Sequence, residues 1–159
     1  MLSWVKNRVT LHGADQKEID EVIDFLRSEK SEFDFNNIIP IPNEIKETME
    51  EGCHDWYEWS RKNWGTKYNA CDARREGNVI VFETPSYGVA HLILMVSEKF
   101  KEVVFDYEFA ATNFGHNTAR YTFKAGEIIV EYEPADASIE ARLLAKSILG
   151  WEPKELFYY

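Results

Sequence analysis

Over the first dozen residues apolar and polar side chains alternate. Val5, Val9 and Leu11 oppose Trp4, Lys6, Arg8, Thr10 and His12, which predicts a strand with one apolar face and one polar, partly cationic face, ended by Gly13. The period then changes. Ile19, Val22, Ile23 and Leu26 follow the i, i+3, i+4, i+7 spacing of a buried helical stripe, with Asp15 placed to cap it. Pro40 and Pro42 break the periodicity of FDFNNIIPIPNEIKETMEEG, as an extended loop does. After them EIKETMEEG and HDWYEWSRKNWG read as short helices ending at Gly65, so residues 33 to 70 form an aromatic-rich insertion.

Alternation returns in GNVIVFETPS, a strand closed by Pro85 that forms a hairpin with YNACDARRE around Glu76 to Asn78. A second helix, Gly88 to Phe100, puts Val89, Leu92, Ile93, Val96 and Phe100 on one face. EVVFDYEFA sets Val103, Phe105, Tyr107 and Phe109 against Val104, Asp106 and Glu108, a half-buried strand. In ARYTFKAGEIIVEYE the Ala125-Gly126 turn joins two more strands and sets Lys124 opposite Glu127 and Arg120 opposite Glu131. A last helix runs from Ser138 to about Leu149, stopped by Gly150 and followed by an aromatic tail.

The order strand, helix, strand, strand, helix, strand is the split βαβ of a ferredoxin-like sandwich, an α+β class, extended here by a β-hairpin and a C-terminal helix. With 159 residues and no internal repeat, a single domain is expected. The name describes topology alone: an iron-sulfur cluster takes about four thiolates, and the chain has two cysteines.

Five segments in order, WVKNRVTLHG, FDFNNIIPIP, NWGTKYNA, NVIVFETP and YTFKAGEI, resemble the YubB-like, ferredoxin-like family carried by bacteriophages and plasmids. The resemblance covers roughly residues 2 to 130 and brings no catalytic residue set with it. It implies a ferredoxin-like domain of mobile-element origin, at work in the cytoplasm of an infected or plasmid-bearing bacterial host.

Charge narrows the function classes. With 28 acidic against 18 basic side chains the net charge is −10, which disfavours nonspecific binding to duplex DNA, a term that scales with phosphates neutralised. The start MLSWVKNRV lacks an apolar h-region, and no run approaches the roughly 18 apolar residues of a membrane span, so a cytoplasmic location is expected. An open sheet face carrying Trp4, Lys6 and Arg8 suits single-stranded nucleic acid. Glu83, Asp106 and Glu108 are expected on the same face, where cross-strand ion pairing is the more ordinary outcome.

No catalytic signature is present. His12, His54, His91 and His116 lie on separate elements, without a GxSxG, HExxH, Walker or paired-carboxylate arrangement, and no enzymatic activity or cofactor is expected. His91, in an apolar helix, reads as a hydrogen-bonded core residue, and His12 and His116 are placed to meet only if the fold joins them. Cys53-His54 with Cys71-Asp72 has the donor types of a mixed metal site but no recognised spacing, and reduced thiols are the plainer reading.

One segment stands out. WYEWSRK runs into NWGTKYN, gathering three tryptophans, two tyrosines, two lysines and an arginine in an acidic chain. Trp64 and Tyr68 offer stacking faces, Arg61 and Lys67 offer phosphate partners, and Gly65 allows close backbone approach. Asn63, Thr66 and Asn69 complete the candidate site, while Trp56 and Trp59 are expected in the core. The expectation is a non-enzymatic protein that sequesters a small phosphate-bearing nucleotide signal of host immunity. The alternatives are an acidic inhibitor docking on a host defence protein, and a single-strand binding module. Apolar Ala90, Leu94 and Met95 widen the stripe of the second helix and point to a homo-oligomer.

Overall fold

In the computed structural model, residues 3–52 and 55–154 are described. Cys53 and His54, and the aromatic tail beyond residue 154, lie outside them, and with them half of the mixed metal set considered above. The chain is an α+β fold whose described residues form a six-stranded antiparallel sheet with five helices. The first strand, β1 (Trp4–His12), leads into α1 (Gln16–Leu26). The connecting segment then carries a single 3-10 turn (Phe35–Asn37), α2 (Asn43–Glu50) and α3 (Asp55–Asn63). The hairpin β2 (Cys71–Glu76) and β3 (Val79–Pro85) follows, then α4 (Ala90–Lys99), β4 (Val104–Ala111), β5 (Thr118–Lys124), β6 (Glu127–Tyr132) and α5 (Ile139–Leu149).

The strands lie side by side in the order β2-β3-β1-β4-β5-β6. β1 is central because its alternation supplies one wholly buried face: Val5, Val9 and Leu11 meet Ile19, Val22, Ile23 and Leu26 of α1 and Leu92, Ile93 and Val96 of α4 in one core. Phe82 of β3, Phe105, Tyr107 and Phe109 of β4, and Tyr121 and Phe123 of β5 continue that face. Asn7 lies on it too. Its amide donates to Thr84 Oγ1 (2.9 Å) and its oxygen accepts from the Tyr107 hydroxyl, which in turn accepts from Val89 N–H (2.8 Å). A fully satisfied polar chain at this depth costs little and fixes the approach to α4. Burial pushes the Tyr107 hydroxyl far above its ordinary pKa, which keeps it a donor.

α5 packs on the opposite face of the sheet. Leu144, Ala145, Ile148 and Leu149 close over Ala110 of β4, and Arg8 donates to the Ser147 carbonyl. Ser138 caps the helix through Ala141 N–H (3.0 Å), and Gly150, at φ 78°, ends it in the left-handed conformation the sequence anticipated.

Two expectations shift. Lys124 does face Glu127, and the turn residues Ala125 and Gly126 both take positive φ, as a primed hairpin turn demands. A bulge between Thr122 and Phe123 then moves the register, so Arg120 faces Tyr132, and Glu131 faces Tyr121. The surplus apolar positions of α4 are also largely covered by the chain itself. Ala90 and Leu94 are half-buried against the core, and Met95 alone of the three is exposed, which removes most of the argument for a second subunit. Among the described residues no helix is long and apolar enough to cross a membrane.

Candidate functional site

The polar face of β1 carries balanced charge. Lys6 lies opposite Glu83 in the register, and Arg8 opposite Glu108, to which its Nε donates at 2.6 Å. Together with Thr10, Val81 and the β2 side chains they floor an open groove of about 1280 Å³. The β2 wall adds Arg74 and Arg75 as well as Asp72 and Glu76, with Arg74 paired to Asp72, so basic and acidic groups match. Further along, His12 Nε2 lies 2.6 Å from Asp106, whose second oxygen accepts from Thr122 (2.7 Å). His116 instead approaches Asp136 from the loop after β4, so the two histidines sit at opposite ends of that strand. His91 is exposed on α4, and its Nε2 reaches the Asn63 carbonyl (3.1 Å). Burial, with Glu83 and Asp72 nearby, holds the Cys71 thiol above its ordinary pKa and therefore protonated. Among the described residues no group of three or more His, Cys, Asp or Glu side chains is arranged to hold a metal.

The NWGTKYN segment divides into inward and outward residues. Trp64 is only 2% exposed, stacks edge-on against Phe35 and Trp59, and donates its indole N–H to the Ile39 carbonyl (2.9 Å). It is core, and no ligand base can stack on it. Trp56 and Trp59, expected as core, are half-buried. The exchange has a simple cause: Trp64 follows the last turn of α3, where the chain turns towards Phe33 and Phe35 beneath the insertion. Gly65, at φ 78°, brings the backbone close to the His91 ring rather than to a ligand, for a Cβ there would come within 2.8 Å of it.

Thr66 is buried and donates to the Pro85 carbonyl (3.0 Å). Asn63 donates to Trp59 O (2.9 Å). Asn69 accepts from the backbone N–H groups of Phe35 and Ala70 and donates to Asp34. Burial raises the Asp34 carboxyl, yet hydrogen bonds from Asn69, Asn36 and Ser28 together outweigh it and hold the group below its ordinary pKa. These asparagines and the threonine are structural, and their side chains are not offered to a ligand. Tyr68 is half-buried beside Trp56 and Tyr57, at ring separations of 5.7 and 6.2 Å.

Arg61 and Lys67 turn outward, and the fold brings them together. With Thr66, Pro85, Ser86 and Tyr87 they line a hollow of about 270 Å³ between the insertion and the β3–α4 loop. Among the described residues neither cation has a carboxylate within 4 Å. Lys67 Nζ lies 4.1 Å above the Tyr57 ring and 5.4 Å from the centre of the Tyr68 ring, contacts that use the ring faces and leave its N–H groups able to donate to an anion in the hollow. Tyr87 is 63% exposed. Its loop is nonetheless pinned: Thr84 Oγ1 donates to Tyr87 O (2.6 Å), Asn117 to Ser86 O (2.7 Å), and Ser86 N–H to Ser3 O (2.6 Å). Sequence reasoning missed Ser86 and Tyr87. The signal available was an aromatic set between Pro85 and Gly88, in a loop where burial has no use for it.

Comparison with known proteins adds fold evidence. No family model matches the chain, and no curated protein does. Among solved structures the chain is similar to the protein Api92 from Yersinia pseudotuberculosis, of the DUF1281 family, with a TM-score of 0.51 and 16% identity. The match takes in 67% of this chain and 41% of the Yersinia protein. At that identity the likeness concerns the fold alone.

Proposed function

We propose that this protein holds one small phosphate-bearing nucleotide, without altering it, in the hollow between Arg61, Lys67 and Tyr87. The observation that carries this reading is the convergence of two cations, neither ion-paired among the described residues, with an exposed tyrosine ring on a chain of net charge −10. Arg61 and Lys67 take the phosphate through charge-assisted hydrogen bonds, and Tyr87 takes the stacking role first assigned to Trp64. A hollow of this size lies near the lower limit of ligand sites and so accommodates a single nucleotide unit. The matched charges of the open groove argue against a long single strand on the sheet face.

The strand order β2-β3-β1-β4, with α1 and α4 on one face, supports assigning the first four strands to a ferredoxin-like split βαβ, to which β5, β6 and α5 are added. The YubB-like resemblance supports a mobile-element origin, and with it a role in sequestering a host signal in the bacterial cytoplasm.

Calorimetry against linear and cyclic mono- and dinucleotides tests the site. Binding is expected to weaken at least about tenfold in Lys67→Ala and in Arg61→Ala, and measurably in Tyr87→Ala. The bound compound should be recovered intact by mass spectrometry. Absence of binding across the panel, binding indifferent to all three substitutions, or recovery of a cleaved ligand overturns the reading.

A further inference from the structure

β6 ends the sheet, and no described strand pairs with its outer side. On this edge Ile128, Ile129 and Val130 are 49%, 56% and 42% exposed. Three consecutive exposed aliphatics on an open strand are what sheet proteins ordinarily avoid, because such an edge templates further pairing. Ile129 is the additional residue of the bulge, so Ile128 and Val130 reach opposite faces of the sheet beside Phe123 and Thr122. Carboxylates bracket the three. Glu127 precedes them, Glu131 and Glu133 follow, all exposed, and Glu98 of α4 packs beside Gly126 at the turn. Lys124 faces Glu127, Arg120 faces Tyr132 and the Tyr121 hydroxyl donates to Glu133, which leaves four carboxylates against Lys124 and Arg120 around the strand. On the open face Val130 walls a hollow of about 410 Å³ that also holds Arg120 with Asp106 and Glu108. Those two carboxylates are already engaged by His12 and Arg8, so the acidic character of this edge rests on the carboxylates of β6 and its flanks.

We propose that β6 is a docking strand for an extended segment of a partner protein in which apolar side chains alternate with lysine or arginine. Backbone hydrogen bonds to the outer side of β6 supply affinity, and the alternation seats apolar side chains against Ile128 or Val130. The acidic bracket selects for cations and against acidic strands. A second copy of this chain fits poorly. Antiparallel self-pairing centred on Ile129 places Glu127 opposite Glu131 at both ends, a like-charge contact repeated by symmetry.

The test uses the full chain and fluorescence polarisation of a labelled peptide of about eight residues that alternates valine and arginine. Its control alternates valine and glutamate. Expected are saturable binding of the first peptide, at least tenfold weaker binding of the second, and about tenfold losses in Ile128→Lys and Val130→Lys. Glu44→Gln, on α2, lowers the acidic charge by the same amount and should leave binding nearly unchanged. If either lysine variant loses thermal stability, Glu131→Lys reads the charge contribution on its own and should also weaken the arginine peptide. The proposal is overturned by no binding, by equal binding of the two peptides, or by an equal loss in Glu44→Gln. It is likewise overturned if light scattering shows the free chain to be a dimer that Ile128→Lys dissociates.

Discussion

Trp64 and Lys67 stand three residues apart in one loop, yet the first is packed among Phe35 and Trp59 while the second, half-buried, lines the hollow beside Arg61 and Tyr87. In the inward set, the Trp64 indole N–H and the Asn69 amide oxygen hold the insertion to itself at Ile39 and Phe35, and the Thr66 hydroxyl ties it to the end of β3 at Pro85. In the outward set the carbonyls of Lys67 and Tyr87 are held by Ser60 and Thr84, but among the described residues the side chains of Arg61, Lys67 and Tyr87 make no hydrogen bond. Its side chains are placed by a frame that the inward set builds, which separates the energetics of folding from those of binding within seven residues.

Substitutions should expose that separation. Trp64→Ala is expected to cost about 3–5 kcal/mol, read as a drop in the denaturant midpoint, because a fully buried indole leaves a cavity and Ile39 loses its donor. A loss under about 1 kcal/mol would place Trp64 with the outward residues.

Asn69→Ala should cost about 1–3 kcal/mol, since it leaves Phe35 N–H without its acceptor. It should also alter the acid limb. Asp34 is held below its ordinary pKa in the fold, so its contribution is present above the unfolded carboxylate value and is lost as pH falls through the folded one. Without the Asn69 donor that pKa rises towards the unfolded value. Stability measured from neutral pH to below about pH 4 should therefore fall less steeply in the variant than in the parent. An equal or steeper fall would remove Asn69 from the Asp34 network.

Thr66→Val should cost about 1 kcal/mol, the value of one buried hydroxyl-to-carbonyl bond, and should loosen the wall at Pro85. Lys67→Ala and Arg61→Ala should change stability by no more than about 0.5 kcal/mol while weakening nucleotide binding. If they destabilise as strongly as Trp64→Ala, the division between frame and site does not hold.

Strand and helix positions were legible because each is written in a local period. The alternation around Val5, Val9 and Leu11, the stripe from Ile19 to Leu26 and the stop at Gly150 all survive in the fold. Residues whose environment depends on distant segments were not. Asn7 interrupts an apolar face in the sequence, and only the approach of Thr84 and Tyr107 makes its burial tolerable. The three tryptophans of the insertion look alike in one dimension, and packing against Phe33 and Phe35 decides which of them is core. Arg61 and Lys67 were legible as cations near aromatics, but Tyr87, about twenty residues away in the chain, enters their hollow only through the pinned β3–α4 loop.

By itself the sequence determined the α+β order of elements, the strand faces and the acidic balance, because these follow from backbone periodicity and from composition summed along the chain. Tertiary structure alone decided that α5 covers the opposite face from α1 and α4, that a bulge moves Arg120 from Glu131 to Tyr132, and that Trp64 turns inward while Lys67 turns outward. Each of these depends on which surfaces meet across the sheet. Burial energy is set by neighbours distant in the chain, whereas local propensity reaches only a few residues.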